Sequence, residues 1–296
     1  MNVDPSDFVF TAMGTTKEEY TGVPDISDSM AHESELYFSL IDSLDVTLDL
    51  EELEDESDRH QDVIGVYHAS GTKCPRKSFY SEKDIVSEYP ERDWKFGLEY
   101  IFRRGNTVED WVEDTLEESL PDKVIKNEMP MKYEFGDFYV TGSTDPYILN
   151  QNGDLWAITE VKSTRNSLSN IPLNYHVRQL NVYLNIADIP YGFIIYVKVN
   201  DNFEEEEITI KDVEIVKIEK DEELFQRCMM AFTLYHDYRE NSGFPPAFPV
   251  DDKECSDCRY SGLCYNDDKG DDYTKENFPP DQSVKKEDKT NFFRNI

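Results

Sequence analysis

The alternation of hydrophobic and polar positions is clearest in the middle of the chain. Phe138 to Leu149 is rich in aromatic and β-branched residues, residues 150–154 are Asn-Gln-Asn-Gly-Asp, and Leu155 to Val161 is a second apolar run. Two such runs separated by turn-forming residues predict two β-strands joined by a turn. This predicted hairpin is the stretch around which the rest of the chain can be organised.

The end of the hairpin carries charged side chains at a defined spacing. Glu160 and Lys162 are predicted on one face of the second strand, with Val161 on the other. The turn brings Asp145, near the end of the first strand, towards them. Two carboxylates beside an ammonium group can hold one or two Mg²⁺ or Mn²⁺ ions and steady a water or a phosphate. A surface strand with alternating charges is the alternative interpretation.

Further helices and strands are predicted on both sides of the hairpin. Apolar positions at helical spacing predict helices, and continuous apolar runs predict buried strands. The helices are predicted at Trp94–Leu120, Asn174–Ile186 and Asp221–Glu240. A strand pair is predicted at Lys123–Phe135, a buried strand at Tyr191–Val199, and one or two edge strands at Glu207–Ile218.

Two of these helices carry polar candidates for a functional site. Residues one helical turn apart share a face of the helix, although each candidate is also compatible with an ordinary surface position. The candidates are Glu109, one turn after Gly105 and close to Arg103 and Arg104, on the first helix, and Gln179 and Tyr183, with Arg178 beside them, on the second.

The two ends of the chain differ in composition from the middle. Residues 1–61 are acidic, with no lysine or arginine between Lys17 and Arg59, and residues 266–296 are rich in charge. Apolar spacing within residues 33–53 is compatible with one amphipathic helix. We expect a solvated, partly disordered extension, with a partner-docking arm as the alternative, and a disordered tail. The folded domain is predicted to span residues 62–265.

The formal net charge of the 296-residue chain is −33. An acidic surface repels DNA in dilute buffer, which favours a protein that avoids nucleic acid. Acid excess with scarce lysine is also typical of proteins from very salty cytoplasm, where a Debye length of about 3 Å at 1 M salt removes diffuse repulsion. We adopt this halophile interpretation, so binding to DNA remains compatible with the composition.

The hydropathy of the chain predicts a cytoplasmic protein. No apolar run approaches the ~20 residues of a membrane helix, and no basic-then-apolar signal sequence begins the chain.

Five cysteines in such a chain favour ligand chemistry over disulfides. Cys255, Cys258 and Cys264 form a Cys-x₂-Cys-x₅-Cys group, which needs a fourth ligand. Zinc would accept a cysteine or a histidine, whereas a [4Fe–4S] cluster takes four thiolates. Cys74 lies beside cations at a predicted helix start, which favours thiolate, so it is assigned to the group. Cys228 is predicted as a core residue.

The order of these features resembles a known family. The order is Cys74, Gly105-x₃-Glu109, Gly142-x₂-Asp145, Glu160-x-Lys162, Gln179-x₃-Tyr183, and Cys255 with Cys258 and Cys264. It resembles the RecB-like branch of the PD-(D/E)XK nucleases and, within it, the iron–sulfur exonucleases that include the CRISPR-associated exonuclease family. The resemblance covers about residues 63–265. It implies a restriction-endonuclease-like α/β core, with a central mixed sheet flanked by helices, and an iron–sulfur lobe.

The resemblance also implies a role for each matching residue. Glu109 stands where the family commonly has histidine, and an acidic ligand favours hard cations more than imidazole does. The implied metal ligands for Mg²⁺ or Mn²⁺ are Glu109, Asp145, Glu160 and the carbonyl of Val161, with Lys162 orienting the attacking water. The implied DNA contacts are Gln179, Tyr183, Arg178, Arg103 and Arg104, and the implied ligands of a [4Fe–4S] cluster are Cys74, Cys255, Cys258 and Cys264.

These assignments predict a metal-dependent DNA exonuclease that prefers single-stranded ends. The family implies a role in CRISPR spacer acquisition, with the CRISPR integration proteins as partners. The same chemistry in repair or recombination, or in a virus-borne nuclease, is the first alternative. A non-catalytic iron–sulfur DNA-binding subunit is the second, and the intact set of Asp145, Glu160 and Lys162 argues against it.

Overall fold

The computed structural model describes residues 22–50, 66–72, 94–202 and 205–240. The chain divides into two compact units, one of residues 1–69 with 96–225 and the other of residues 70–95 with 226–296. The helices are α1 (Ser29–Ile41), α2 (Trp94–Ser119), α3 (Asn174–Ala187) and α4 (Glu222–Glu240). The strands are β1 (Thr47–Asp49), β2 (Val66–His68), β3 (Lys123–Lys126), β4 (Met129–Phe135), β5 (Phe138–Thr144), β6 (Tyr147–Asn150), β7 (Leu155–Thr164), β8 (Tyr191–Asn202) and β9 (Glu207–Glu219).

The described strands of the first unit form two mixed sheets. A six-stranded sheet has the order β1-β9-β8-β7-β6-β3, and a three-stranded sheet has the order β2-β5-β4. β7 pairs in parallel with β8, and β2 in parallel with β5, while β6 and β9 pair antiparallel with their neighbours. The fold is therefore α/β with a mixed sheet and flanking helices, as expected.

The first strand of the predicted hairpin is two strands in the structure. β5 ends at Thr144 and pairs with β4, whereas β6 begins at Tyr147 and pairs with β7. Pro146 lies between them and has no backbone N–H, so an uninterrupted ladder cannot pass through this point. The break leaves Asp145 at the junction of the two sheets. β3 and β4 are likewise strands as predicted, but they pair in different sheets.

The described part of the N-terminal extension packs in the first unit, in contrast to the expected solvated arm. Leu36 and Leu40 of α1 are fully buried in the core that α2 shares with the larger sheet. β1 pairs with β9, which makes β9 an internal strand and not the predicted edge. Burial of these leucines gives an acidic segment enough apolar contact to remain folded. The boundary predicted at residue 61 lies outside the described residues and stays a prediction.

The two faces of β7 have different neighbours. Val161 is buried in the core formed with α2, whose Val108 and Val112 are one helical turn apart and fully buried. On the other face, Ile158 lies close to Gly192 of β8 and to Leu184 of α3. A Cβ added to Gly192 would be 2.9 Å from Ile158 Cγ1 and 3.2 Å from Leu184 Cδ2. Glu160 and Lys162 follow Ile158 on this face by the alternation of the strand.

The second unit includes the last part of α4. The buried side chains that the structure describes there are Cys228, Met229, Ala231, Phe232 and Tyr235. The burial of Cys228 agrees with its prediction as a core residue. Among the described residues, no helix is sufficiently long and apolar to span a membrane.

Candidate active site

Asp145 binds the backbone of β7 just beyond the point where β6 begins. The last pair of the β6–β7 ladder is Tyr147 with Ile158, so the following part of β7 extends past β6. Asp145 Oδ2 accepts a hydrogen bond from Val161 N at 2.5 Å. The carboxylate thus satisfies a backbone donor that a longer β6 would have paired, and it is fixed beside Glu160 and Lys162.

The ammonium of Lys162 contacts three groups that the sequence predicted as metal ligands. Lys162 Nζ forms an ion pair with Glu160 Oε1, lies 3.7 Å from Asp145 Oδ2 and donates to the carbonyl oxygen of Val161 at 2.9 Å. The side chain of Glu160 is 1 % exposed. Burial by itself would lower the pKa of Lys162, but the charges of Glu160 and Asp145 outweigh it and raise this pKa.

Helix α2 brings Glu109 into the same electrostatic environment. Burial, followed by the charge of Asp145, raises the pKa of Glu109 to about 9, although Lys162 opposes the shift. Burial also raises the pKa of Asp145. Glu109, Asp145, Glu160 and Lys162 therefore influence one another electrostatically at a poorly solvated site, where burial favours the neutral forms of Glu109 and Asp145.

A comparison with known protein families gives the superfamily of this chain. The sequence matches the PD-(D/E)XK nuclease superfamily over residues 72–265. The chain belongs to this superfamily. No curated protein matches the sequence significantly.

Solved structures that match this PD-(D/E)XK chain include two exonucleases. A protein named SSO0001 is 19 % identical, with 79 % of this chain and 96 % of that chain covered and a TM-score of 0.49. An alkaline exonuclease from Laribacter hongkongensis is 10 % identical, with coverages of 60 % and 90 % and a TM-score of 0.37. A phage-related exonuclease from Haemophilus somnus 129PT is 14 % identical, with coverages of 77 % and 99 % and a TM-score of 0.38.

PD-(D/E)XK nucleases generally use Mg²⁺ or Mn²⁺, and the donor set of this site suits such ions. Carboxylate and carbonyl oxygens are the ligands that hard divalent cations prefer, and a bound cation would favour the ionised forms of these carboxyl groups. In the part of the chain that the structure describes, no group of three or more His, Cys, Asp or Glu side chains is arranged to hold a metal ion.

Helix α3 places Gln179 and Tyr183 beside the carboxylates. Gln179 Nε2 donates to Tyr183 OH at 3.3 Å, and Tyr183 is 2 % exposed. Burial, followed by the charge of Glu160, raises the pKa of Tyr183. A Cβ on Gly142 would lie 2.6 Å from the Tyr183 hydroxyl, so the glycine of the Gly-x₂-Asp motif makes room for this phenol. A ring buried to this extent cannot stack on a base, which leaves hydrogen bonding as its predicted mode of contact with DNA.

The arginines predicted to contact DNA are held by contacts within the protein. Arg103 Nη2 donates to Leu50 O at 3.0 Å and to Glu206 Oε2 at 2.7 Å. Arg104 and Arg178 are buried. The sequence pattern did not indicate this burial, because it depends on segments far away in the chain. Their role in DNA binding stays a prediction.

The structure adds Asp201 to the groups near the site, and sequence reasoning missed it. Its Oδ2 lies 3.4 Å from Arg104 Nη1 and 3.3 Å from Arg165 Nε. Arg104 Nε also donates to Ser163 Oγ at 3.2 Å. Asp201 lies in an acid-rich stretch of sequence, so its residue type carried no signal; only its burial distinguishes it.

The predicted cluster ligands Cys74, Cys255, Cys258 and Cys264 lie outside the described residues. The iron–sulfur assignment therefore keeps its basis in the spacing and the resemblance alone.

Proposed function

We propose that this protein is a metal-dependent DNA exonuclease with Glu109, Asp145, Glu160 and Lys162 as its catalytic residues. The observation that carries the proposal is the convergence of Lys162 Nζ on Asp145, Glu160 and the Val161 carbonyl at the end of β7. Glu109 is proposed as a third carboxylate, and the effect of Asp145, Glu160 and Lys162 on its pKa supports this assignment. Membership of a nuclease superfamily supports the reaction class.

The oxygen groups and the ammonium group of the site are proposed to have different roles in the reaction. Glu109, Asp145, Glu160 and the Val161 carbonyl would hold Mg²⁺ or Mn²⁺. A bound ion supplies positive charge to the scissile phosphate and lowers the pKa of a water. Lys162 donates hydrogen bonds to the attacking water or to a phosphate oxygen, and its charge offsets the negative charge that develops during in-line attack. Low exposure of the site strengthens these electrostatic interactions.

The proposed substrate is DNA, with single-stranded ends preferred. Gln179 and the Tyr183 hydroxyl supply hydrogen bonds to one strand beside the carboxylates. Arg165 follows β7 directly and is 53 % exposed, so it is the arginine of this region best placed to meet a phosphate. Arg103, Arg104 and Arg178 add positive charge from more buried positions, which offsets part of the acidity around the site.

The test is digestion of end-labelled single-stranded and duplex DNA by the full-length protein in molar KCl, with Mg²⁺, Mn²⁺ or EDTA. We expect metal-dependent release of nucleotides, faster from single strands, and its loss in Lys162→Ala. Lys220→Ala is the matched control, because Lys220 is also in an ion pair, with Asp188 at 2.8 Å, but follows β9, where its backbone N–H donates to the carbonyl of Pro190 just before β8 begins. Cleavage by Lys162→Ala at the wild-type rate, or none by the folded wild type, would contradict the proposal.

We propose that a [4Fe–4S] cluster held by Cys74, Cys255, Cys258 and Cys264 stabilises the fold, since hydrolysis needs no electron transfer. Iron, sulfide and visible absorbance are measured on protein purified without oxygen. Cys258→Ala is expected to lose iron and solubility together, whereas Cys228→Ala, a buried cysteine outside the set, is expected to keep the iron. A soluble, fully active Cys258→Ala protein without iron would exclude this role.

The proposed biological role is the processing of DNA ends for CRISPR spacer acquisition together with integration proteins. It rests on the family resemblance. Repair, recombination or a viral setting would use the same site, and pull-down of the tagged protein from its own cells would separate these roles by the proteins it retains.

A further inference from the structure

A buried carboxylate lies at the end of β8 close to the proposed active site. The side chain of Asp201 is 2 % exposed, and its Oδ2 is shared by Arg104 Nη1 and Arg165 Nε at 3.4 Å and 3.3 Å. Within the described residues, Asp201 Oδ1 is buried without a hydrogen-bond partner. Burying a carboxylate with one oxygen unsatisfied is costly, so stability alone is a poor explanation for this arrangement.

The two arginines that share Asp201 differ in their surroundings. The side chain of Arg104 is 10 % exposed, and it also donates to Ser163 Oγ, next to Lys162 on β7. This arginine anchors Asp201 to helix α2 and to the catalytic strand. The side chain of Arg165 is 53 % exposed, and it contacts Asp201 through Nε. The guanidinium group has five N–H donors, so it can contact Asp201 through Nε and donate to a second acceptor as well.

The contact between Asp201 and Arg165 can affect DNA binding because of where Arg165 lies. Arg165 directly follows β7, the strand that carries Glu160 and Lys162. A phosphate bound by Arg165 would therefore belong to a nucleotide close to the scissile bond. An exposed arginine has many rotamers, and fixing one of them before binding lowers the entropy that DNA binding must overcome. A buried carboxylate that contacts two arginines can limit the motion of the Arg165 side chain.

We propose that Asp201 is a positioning residue that holds Arg165 in the orientation in which its guanidinium group binds a DNA backbone phosphate. The proposal rests on the proposed nuclease function and extends it to a residue that does not touch the substrate. Arg104 keeps the Asp201 carboxylate in place.

The positioning role and a simple charge effect predict opposite changes in DNA affinity when the charge of Asp201 is removed. Asp201→Asn makes the region more positive by one unit, which by itself tightens the binding of a polyanion. If Asp201 acts by orienting Arg165, the same substitution weakens binding. A control for the charge effect is Glu206→Gln, which removes an exposed carboxylate paired with Arg103.

The experiment measures the affinity of a fluorescent single-stranded oligonucleotide by anisotropy, in EDTA, over a range of KCl concentrations. We expect Asp201→Asn and Arg165→Ala each to weaken binding about tenfold and to reduce the salt slope by about 0.7, the loss of one phosphate contact on a single strand. Glu206→Gln is expected to bind as tightly as the wild type or more tightly. The double variant Asp201→Asn with Arg165→Ala is expected to bind no more weakly than Arg165→Ala alone, because Asp201 acts through Arg165.

Two outcomes overturn the inference: tighter binding by Asp201→Asn, or losses that add in the double variant. Arg165→Lys decides the question if Asp201→Asn does not fold, because lysine keeps the charge but cannot hold both Asp201 and a phosphate in a planar fork. We expect Arg165→Lys to bind as weakly as Arg165→Ala, and wild-type affinity would overturn the inference. Cleavage by the wild type is measured separately, so a failure of the positioning role leaves the proposed nuclease function standing.

Discussion

Among single residues, Lys162 has the largest effect on the charge of the site. Its ammonium contacts Glu160, Asp145 and the Val161 carbonyl, which are also the groups proposed to bind a divalent cation. An ammonium and a metal ion therefore compete for the same oxygens. The lysine that is proposed to assist the reaction would therefore also weaken metal binding before the reaction.

Lys162→Met is expected to bind Mn²⁺ about tenfold more tightly than the wild type while losing cleavage, because removing one positive charge at this distance strengthens the attraction of the carboxylates for a cation. Isothermal titration calorimetry at pH 8 measures the affinity. Lys220→Met, which removes a lysine from an exposed ion pair, is expected to leave it unchanged. Equal or weaker Mn²⁺ binding by Lys162→Met would show that the ammonium does not compete with the metal.

Gly142 is required for a different reason, namely space. An alanine Cβ would lie 2.6 Å from the Tyr183 hydroxyl and 2.8 Å from its Cε1, and the buried phenol has little room to move. Gly142→Ala is expected to lower the free energy of unfolding by about 1–3 kcal/mol and to reduce cleavage, because overpacking displaces Tyr183 from the carboxylates. Urea unfolding and digestion rates measure the two effects.

The matched control for this glycine is Gly105 in α2, where a Cβ would meet nothing within 4 Å. Gly105→Ala is expected to stabilise the protein by about 0.5–1 kcal/mol through the higher helix propensity of alanine. If both alanine variants behave alike, the close approach of Tyr183 to Gly142 is not a constraint.

At the scale of elements, α1 and β1 change the description of the N-terminal extension. Ser29 to Ile41 forms a helix whose Leu36 and Leu40 are fully buried, and the ring of His32 lies 4.2 Å from that of Trp156 on β7. His32 Nδ1 also shares a hydrogen bond of 2.7 Å with Tyr191 OH. The helix is thus tied to the central strands of the sheet by apolar and polar contacts.

Leu36→Ala is expected to lower the free energy of unfolding by about 2–5 kcal/mol, since it leaves a cavity in the core. Phe38→Ala on the same helix is the control, because Phe38 is 67 % exposed and its loss is expected to change stability by no more than about 0.5 kcal/mol. Denaturant titration followed by circular dichroism compares them. A solvated arm would make both substitutions neutral, so the difference between them tests the packing of α1.

At the scale of the whole molecule, the net charge of −33 is expected to make the stability of the fold depend on salt. Repulsion among surface carboxylates opposes compaction in dilute buffer, and salt screens it. The midpoint of thermal unfolding is expected to rise steeply with KCl and then level off near 1 M, where the Debye length is about 3 Å. Differential scanning calorimetry from 0.1 to 3 M KCl follows this. Full stability in dilute buffer would contradict the halophile interpretation.

The helices and the central strands were predictable because local periodicity determines them. α2, α3 and β7 begin within a residue of the predicted positions, since their apolar spacing is continuous. The division of the hairpin at Asp145 was not predicted, although Pro146 is the local signal that could have indicated it. The pairing of distant strands was not predictable. β9 was expected at the edge of the sheet, but it pairs with β1, which lies more than 150 residues away in the chain and is too short to be recognised by its pattern.

The sequence by itself determined which side chains share a face. The alternation of side chains along a strand is a property of the backbone, so Glu160 and Lys162 lie on one face of β7 wherever that strand is placed. Residues four apart likewise share a face of a helix, which puts Gln179 and Tyr183 together on α3. Only the tertiary structure decided what those faces meet: Lys162 among three oxygen groups, Tyr183 against Gly142, and Asp201 between two arginines. Burial and ion pairing depend on contacts between distant segments, and no local pattern encodes them.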